Sequence, residues 1–326
     1  MGGGMPVEIS FASAIDAARV IAGVSAAARA VKELSDSGIL SIRIQIGDDA
    51  PIGPAVRADI ERLRGRANVE FARGSGPSLT SPTAWQVIVR TGKPGDGLVS
   101  RWLNRPVSQR LTWVTLRLFP SIRPIHITLV NALLALALIP IMTLGDGWGL
   151  IAGGIMFHAA SVLDGVDGEI ARATWRTSAL GATLDSIVDI ATNLLFVSGL
   201  TINLALRDGD YIGWLGLWAL VLSIVGGALI AWRSASVDRP ISFDLLKRAK
   251  HKTRTVFDIG YCVVQTLTGR DCFAFLYMIL ILVGLERLAL FIYSGVGTIW
   301  IIYVAGVLAF PRFGHGRDLA SASDRG

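Results

Sequence analysis

A chain of 326 residues has the length of about two average soluble domains, yet 52% of it is hydrophobic and 17% charged, with a mean hydropathy of +0.54. Soluble domains carry roughly 25% charged residues, so this composition excludes a wholly soluble enzyme and a disordered chain, and it predicts an integral membrane protein. Two cysteines, Cys262 and Cys272, exclude a disulfide scaffold and an all-cysteine zinc site, while a formal charge of +6 suits an anionic lipid surface rather than nucleic acid.

Residues 1–92 carry charges every few positions and hold no apolar run long enough to span a bilayer. The opening MGGGMPVEIS lacks the basic start and apolar core of a signal peptide, so this part is expected in the cytoplasm. Val7–Phe11 reads as a strand, Ser25–Ser35 as an alanine-rich helix, and Leu40–Ile46 as a strand with isoleucine at every second position. Pro54–Arg64 reads as a helix, and Asn68–Ala72 and Ala84–Arg90 as further strands. Strands alternating with helices predict a small parallel sheet. The run Ile21–Ile44 resembles the opening β-α-β portion of sugar-phosphate nucleotidyltransferases, but the glycine-rich nucleotide loop ahead of it is missing. A small α/β domain resembling a truncated nucleotidyltransferase is therefore expected, as a non-catalytic remnant.

A linker over 93–125 follows. Within it Leu111, Val114 and Leu118, with Trp113 beside them, share an apolar side while Arg110 and Arg117 lie elsewhere, which predicts an interfacial helix. Residues 126–311 then offer six apolar segments: Ile127–Leu144, Gly147–Leu163, Leu180–Leu206, Ile212–Trp232, Phe273–Tyr293 and Val296–Phe310. Glu286 and Arg287 inside the fifth must face protein or each other. The turns at Gly145–Gly147 and Ser294–Gly295 hold no Lys or Arg and Arg207–Tyr211 holds one, whereas Arg110, Arg117, Arg123, Arg172, Arg176, the run Lys247–Arg254, Arg312, Arg317 and Arg325 fall on the other side. An all-α domain of six spans with both termini cytoplasmic, in the cytoplasmic (inner) membrane, satisfies this asymmetry. Thr255–Leu267 is a second amphipathic stretch, and 312–326 a polar tail.

The chemistry concentrates in Ser161–Ile190, SVLDGVDGEIARATWRTSALGATLDSIVDI. Asp164, Asp167, Asp185 and Asp189 sit in or beside segments fit for hydrocarbon, where an unpaired carboxylate costs several kcal/mol. Asp164 and Asp167 are three apart, with Gly168 and Arg172 continuing their stripe towards a loop that holds Arg172 and Arg176. Gly181, Asp185 and Asp189 follow one another at intervals of four. Four carboxylates from two helices make a natural site for a divalent cation, Mg2+ or Mn2+, and two ions fit as well as one. That arrangement suits phosphoryl transfer, with an arginine at the leaving phosphate and a spare carboxylate to take a proton. Gly168 and Gly181 leave room for a ligand or a backbone.

The spacing D-x2-D-G-x2-A-R-x8-G-x3-D-x3-D, filled by Asp164, Asp167, Gly168, Ala171, Arg172, Gly181, Asp185 and Asp189, resembles the signature of CDP-alcohol phosphotransferases. The resemblance implies a six-helix membrane enzyme, a homodimer, that passes the substituted phosphate of a CDP-alcohol donor to an acceptor alcohol and releases CMP. It assigns Asp164, Asp167 and Asp185 to the metal, Asp189 to the general base and to the metal as well, Gly168 and Ala171 to the cytidine, and Arg172 to the diphosphate. Lys93-Pro94-Gly95-Asp96-Gly97, Ser100-Arg101, Asn104-Arg105-Pro106, Ser108, Asp164-Gly165-x-Asp167-Gly168-Glu169 and Thr268-Gly269-Arg270-Asp271 resemble the inositol-phosphate branch. That branch includes bifunctional enzymes joining an inositol-phosphate cytidylyltransferase to a di-inositol-phosphate phosphate synthase. The donor is then CDP-diacylglycerol or a soluble CDP-alcohol such as CDP-inositol, with membrane lipid as partner. Arg117, Arg123, Arg254 and Arg270 are candidate contacts for an acceptor phosphate, and His126 stands where the family has asparagine. A prenyltransferase would use aspartates and Mg2+ against a diphosphate but has no role for Gly168, Ala171, Arg172 and Gly181, and a transporter would need acidic residues near the bilayer midplane.

Overall fold

The computed structural model describes residues 6–235, apart from 75, 78, 94 and 95, and residues 270–309. The chain divides into two compact units. The first comprises Met1–Pro94, Pro106–His126 and Gly165–Thr177, and the second Gly95–Arg105, Ile127–Asp164 and Ser178–Gly326.

The first unit opens with β1 (Val7–Phe11), α1 (Ala14–Ala18), the short strands β2 (Val20–Ile21) and β3 (Val24–Ser25), and α2 (Ala26–Asp36). It continues with β4 (Ser41–Ile46), α3 (Pro54–Leu63), β5 (Asn68–Arg73) and α4 (Ala84–Val89). Strands β1, β4 and β5 form a parallel sheet with β4 in the centre, as the alternation predicts. In β4 the residues Ile42, Ile44 and Ile46 are buried, so one face of the sheet supplies the core. On the other face Arg43 lies directly opposite Glu8 and Glu70, its guanidinium 3.3 Å from each carboxylate. The alanines of α2, buried from Ala26 to Ala28, let that helix lie close against its neighbours.

The segment AWQVIV is helix α4, not the strand that its Val and Ile content predicts. Thr83 Oγ1 accepts from the Gln86 amide at 3.2 Å, and Gln86 Oε1 accepts from the Thr83 amide at 2.9 Å. This reciprocal cap satisfies two amides that a helix start otherwise leaves open, and it overrides a β preference that depends on context.

A π-helical turn, Ser100–Asn104, runs into α5 (Arg105–Leu118), followed by α6 (Pro124–Leu144), α7 (Asp146–Thr174), α8 (Ala179–Asp208) and α9 (Asp210–Ala235). Helices α6 to α9 are the four that are long and apolar enough to cross a membrane among the described residues. Helices α10 (Arg270–Leu282) and α11 (Glu286–Ala309) follow. Phe157, stacked on Phe196 at 4.0 Å between ring centres, Leu200, Leu204 and Tyr277 lie at the heart of the second unit's core. A Cβ on Gly216 would overlap Thr201, so this glycine lets α8 and α9 approach.

The expected continuous span Phe273–Tyr293 is broken in two. Gly284 takes φ +76, its amide bonds to the Ile281 carbonyl, and the Leu285 amide bonds to the Leu280 carbonyl at 2.7 Å. These are the paired bonds of a Schellman cap, which end α10. Ser294–Gly295, expected as a turn, lies within α11. Glu286 and Arg287 open α11 beside the end of α8, where Arg207 lies 3.3 Å from Glu286 and Arg287 Nε lies 2.7 Å from Asp208. Glu286 is half-buried and Arg287 exposed, and both pair with the end of α8 at a helix junction rather than inside a span. The run Lys247–Arg254, Thr255–Leu267 and the tail 312–326 lie outside the described residues.

Candidate metal and nucleotide site

Helix α7 has no proline between Leu163 and Thr174 and runs through Gly165 and Gly168, so the helix expected to end at Leu163 continues for three more turns. It carries Asp164, Asp167, Gly168, Glu169, Ala171 and Arg172, which places Arg172 in the last helical turn instead of in the loop. Helix α8 is capped by Ser178, whose Oγ accepts from the Gly181 amide at 3.0 Å. A Cβ on Gly181 would come within 2.9 Å of that oxygen, which gives the glycine a local role in the cap.

Asp164 of α7 and Asp185 and Asp189 of α8 each offer a carboxylate oxygen, and these oxygens lie within 4.8 Å of one another. All three residues are half-buried. Oxygen-only donors at this separation could hold a hard divalent cation of the Mg2+ or Mn2+ type. Asp167 is buried and stands outside this trio.

The Arg172 Nε donates to the Thr91 carbonyl at 2.7 Å. Its guanidinium lies back along α7, so that a Cβ on Gly168 would meet Nη1 at 3.0 Å. Gly168 thus makes room for the arginine's own side chain, and Ala171 beside it is half-buried.

Two networks around the motif were not legible as such in the sequence. Glu169 is fully buried and accepts from Ser108 Oγ and Thr112 Oγ1 at 2.7 Å each. Its signal was the pair of hydroxyls four residues apart on α5, opposite the apolar side. The buried side of α5 is Ser108, Thr112 and Leu116, whereas Val107, Leu111, Val114 and Leu118 are exposed. The second network contains Ser161, one turn before Asp164. Ser161 donates to Asp271 at 3.0 Å and lies a long 3.5 Å from Asn104 Nδ2. Asp96 and Arg105 form a two-point ion pair at 2.8 and 3.0 Å. His126 Nδ1 accepts from the Arg123 amide at 3.2 Å, so at the start of α6 the imidazole does the work of a cap. Of the candidate acceptor contacts, Arg117 lies over the Trp113 ring at 5.2 Å, and Arg254 is outside the described residues.

The model of the CDP-alcohol phosphatidyltransferase family matches residues 121–308. The bifunctional IPC transferase and DIPP synthase of Thermococcus kodakarensis is 38% identical over 133 residues, which cover 39% of this chain and 29% of that protein. The protein of the same name from Aquifex aeolicus is 37% identical over 120 residues, 37% of this chain and 26% of its own length. That from Archaeoglobus fulgidus is 33% identical over 104 residues, 32% of this chain and 20% of its own. The chain thus spans less than a third of the length of these curated relatives. The family match takes in more than half of the sequence, and the aspartate trio falls inside it; the chain belongs to the CDP-alcohol phosphatidyltransferase family.

Proposed function

We propose that this chain transfers the substituted phosphate of a CDP-alcohol to a second alcohol, forming a phosphodiester and releasing CMP, in polar-lipid biosynthesis. The observation that carries the reading is the convergence of Asp164, Asp185 and Asp189 within 4.8 Å, inside the span matched by the family. Mg2+ or Mn2+, as two ions held by Asp164, Asp167, Asp185 and Asp189, would neutralise the diphosphate oxygens when bound. Arg172 binds the diphosphate, Gly168 and Ala171 border the cytidine, and Gly181 leaves space at the start of α8. The acceptor hydroxyl attacks phosphorus as Asp189 takes its proton, the new P–O bond forms, and the P–O bond to CMP breaks.

In this reading α10 and α11 complete six spans, with both termini cytoplasmic in the inner membrane and the protein a homodimer. The distribution of basic residues supports that topology. The exposed apolar row on α5 supports an interfacial helix. The α/β domain is a truncated, non-catalytic relative of nucleotidyltransferases. CDP-diacylglycerol and a soluble CDP-alcohol such as CDP-inositol are the two donor classes. The test is a matrix of purified protein against CDP-diacylglycerol, CDP-inositol and CDP-glycerol, each with several acceptor alcohols, reading CMP. Metal-dependent CMP release from at least one donor is expected. Turnover of a prenyl diphosphate with no release of CMP from any donor would overturn the reading.

A further inference from the structure

Helix α7 ends at Thr174 with carbonyls that no later turn of helix can satisfy. The donors come from the α/β domain, within the same compact unit. Arg29 of α2 is 3% exposed, and its Nη2 donates to the Ala173 carbonyl at 2.8 Å and to the Ile21 carbonyl at 2.9 Å. Arg62 of α3 donates to the Thr174 carbonyl at 3.2 Å and to the Trp175 carbonyl at 3.4 Å. Arg176 returns the contact, with bonds of 2.9 Å to the Gly23 carbonyl and 2.8 Å to the Pro120 carbonyl. Positive charge at a helix C-terminus also meets the negative end of its dipole.

Trp175 follows the capped end of the helix. It takes φ +53, the left-handed conformation that glycine ordinarily fills after a helix. A bulky residue there is strained and persists only when its surroundings fix it. The Arg29 guanidinium stacks over its ring at 4.8 Å. Gly23 faces the same junction at φ +80, and a Cβ on it would meet the Pro120 oxygen at 2.9 Å and Thr174 at 3.0 Å. Burial, opposed by nearby Glu33, lowers the Arg29 pKa to about 10, which leaves it charged at neutral pH. In the last turn of the capped helix, Arg172 donates to the Thr91 carbonyl of the same α/β domain.

We propose that Arg29, together with Arg62, is a positioning residue for Arg172: the α/β domain caps α7 and holds the last turn of the helix in register for nucleotide binding. The domain then has a present task without any chemistry of its own. This inference rests on the reading of Arg172 as a diphosphate contact.

The test uses the full chain in detergent, with CDP as the probe in the presence of Mn2+. Arg29→Met keeps the stem and removes the guanidinium, Arg62→Ala is a milder variant at a less buried position, and Arg29→Lys restores the charge. Arg29→Met and Arg62→Ala are expected to weaken CDP binding by about tenfold and threefold, with Arg29→Lys in between, as loss of charge-assisted hydrogen bonds predicts. Mn2+ affinity measured without nucleotide should stay at the wild-type value. Tryptic cleavage after Arg172 and Arg176 should accelerate in Arg29→Met and in Arg62→Ala. CDP affinity within twofold of wild type in both variants, or unchanged cleavage in both, would overturn the inference. Failure of the wild type itself to bind CDP would overturn the nucleotide reading and the role given to Arg172, whereas faster cleavage of the variants would still support the cap.

Discussion

At the scale of single residues, the two carboxylates of α8 have separable tasks in the proposed reaction. General-base assistance is typically worth about 10²–10⁴-fold, so Asp189→Asn is expected to lose turnover by that factor while still binding the cytidine donor. Asp185→Asn removes one oxygen donor from the trio, and its loss should be partly recovered at high Mg2+ or Mn2+. Metal titration of each purified variant separates the two cases. Glu169 makes a different kind of prediction. It is fully buried and accepts two hydroxyl hydrogen bonds. A hydrogen bond to a charged group contributes about 1.5–3 kcal/mol. Ser108→Ala and Thr112→Ala should each destabilise by about that much, and Glu169→Ala by more, because it strands both hydroxyls. Thermal denaturation in detergent reads this directly, and equal effects from all three would argue against a shared network.

At the scale of elements, Gly284 decides where α10 stops. An L-residue in the left-handed region costs roughly 1–2 kcal/mol, so Gly284→Ala should lower stability by about that amount, whereas alanine at Gly295, inside α11, should be neutral or favourable. The contrast shows what a one-dimensional reading can see. The period of two in β4 and the succession β1, α2, β4, α3, β5 were visible because they repeat over many residues, whereas α1 and the two-residue strands β2 and β3 were too short to read. So were the long apolar runs of α6, α8 and α9. The aspartate spacing was visible because it is a property of two helices taken singly. What the sequence hid was set by single local bonds or by partners far away. Thr83 and Gln86 turned a strand-like segment into α4. One glycine in V-G-L-E-R split a span that composition alone continued. The arginines that cap α7 come from residues 29 and 62, more than a hundred positions upstream.

At the scale of the whole molecule, apolar helices and basic connecting segments set the expected orientation. Reporter fusions at Gly145, Gly209 and Gly284 should read external, and one within the basic run 247–254 should read cytoplasmic. A cytoplasmic signal at Gly284 would refute the six-span arrangement. The central claim is that the carboxylates of α7 and α8 carry metal-dependent transfer from a CDP-alcohol, and the most direct measurement is CMP release by purified wild type, D185N and D189N at limiting Mn2+. Wild type should release CMP, D185N should fall and recover in part as metal is raised, and D189N should stay low at every metal concentration. CMP release close to wild type by both variants at limiting metal would contradict the account.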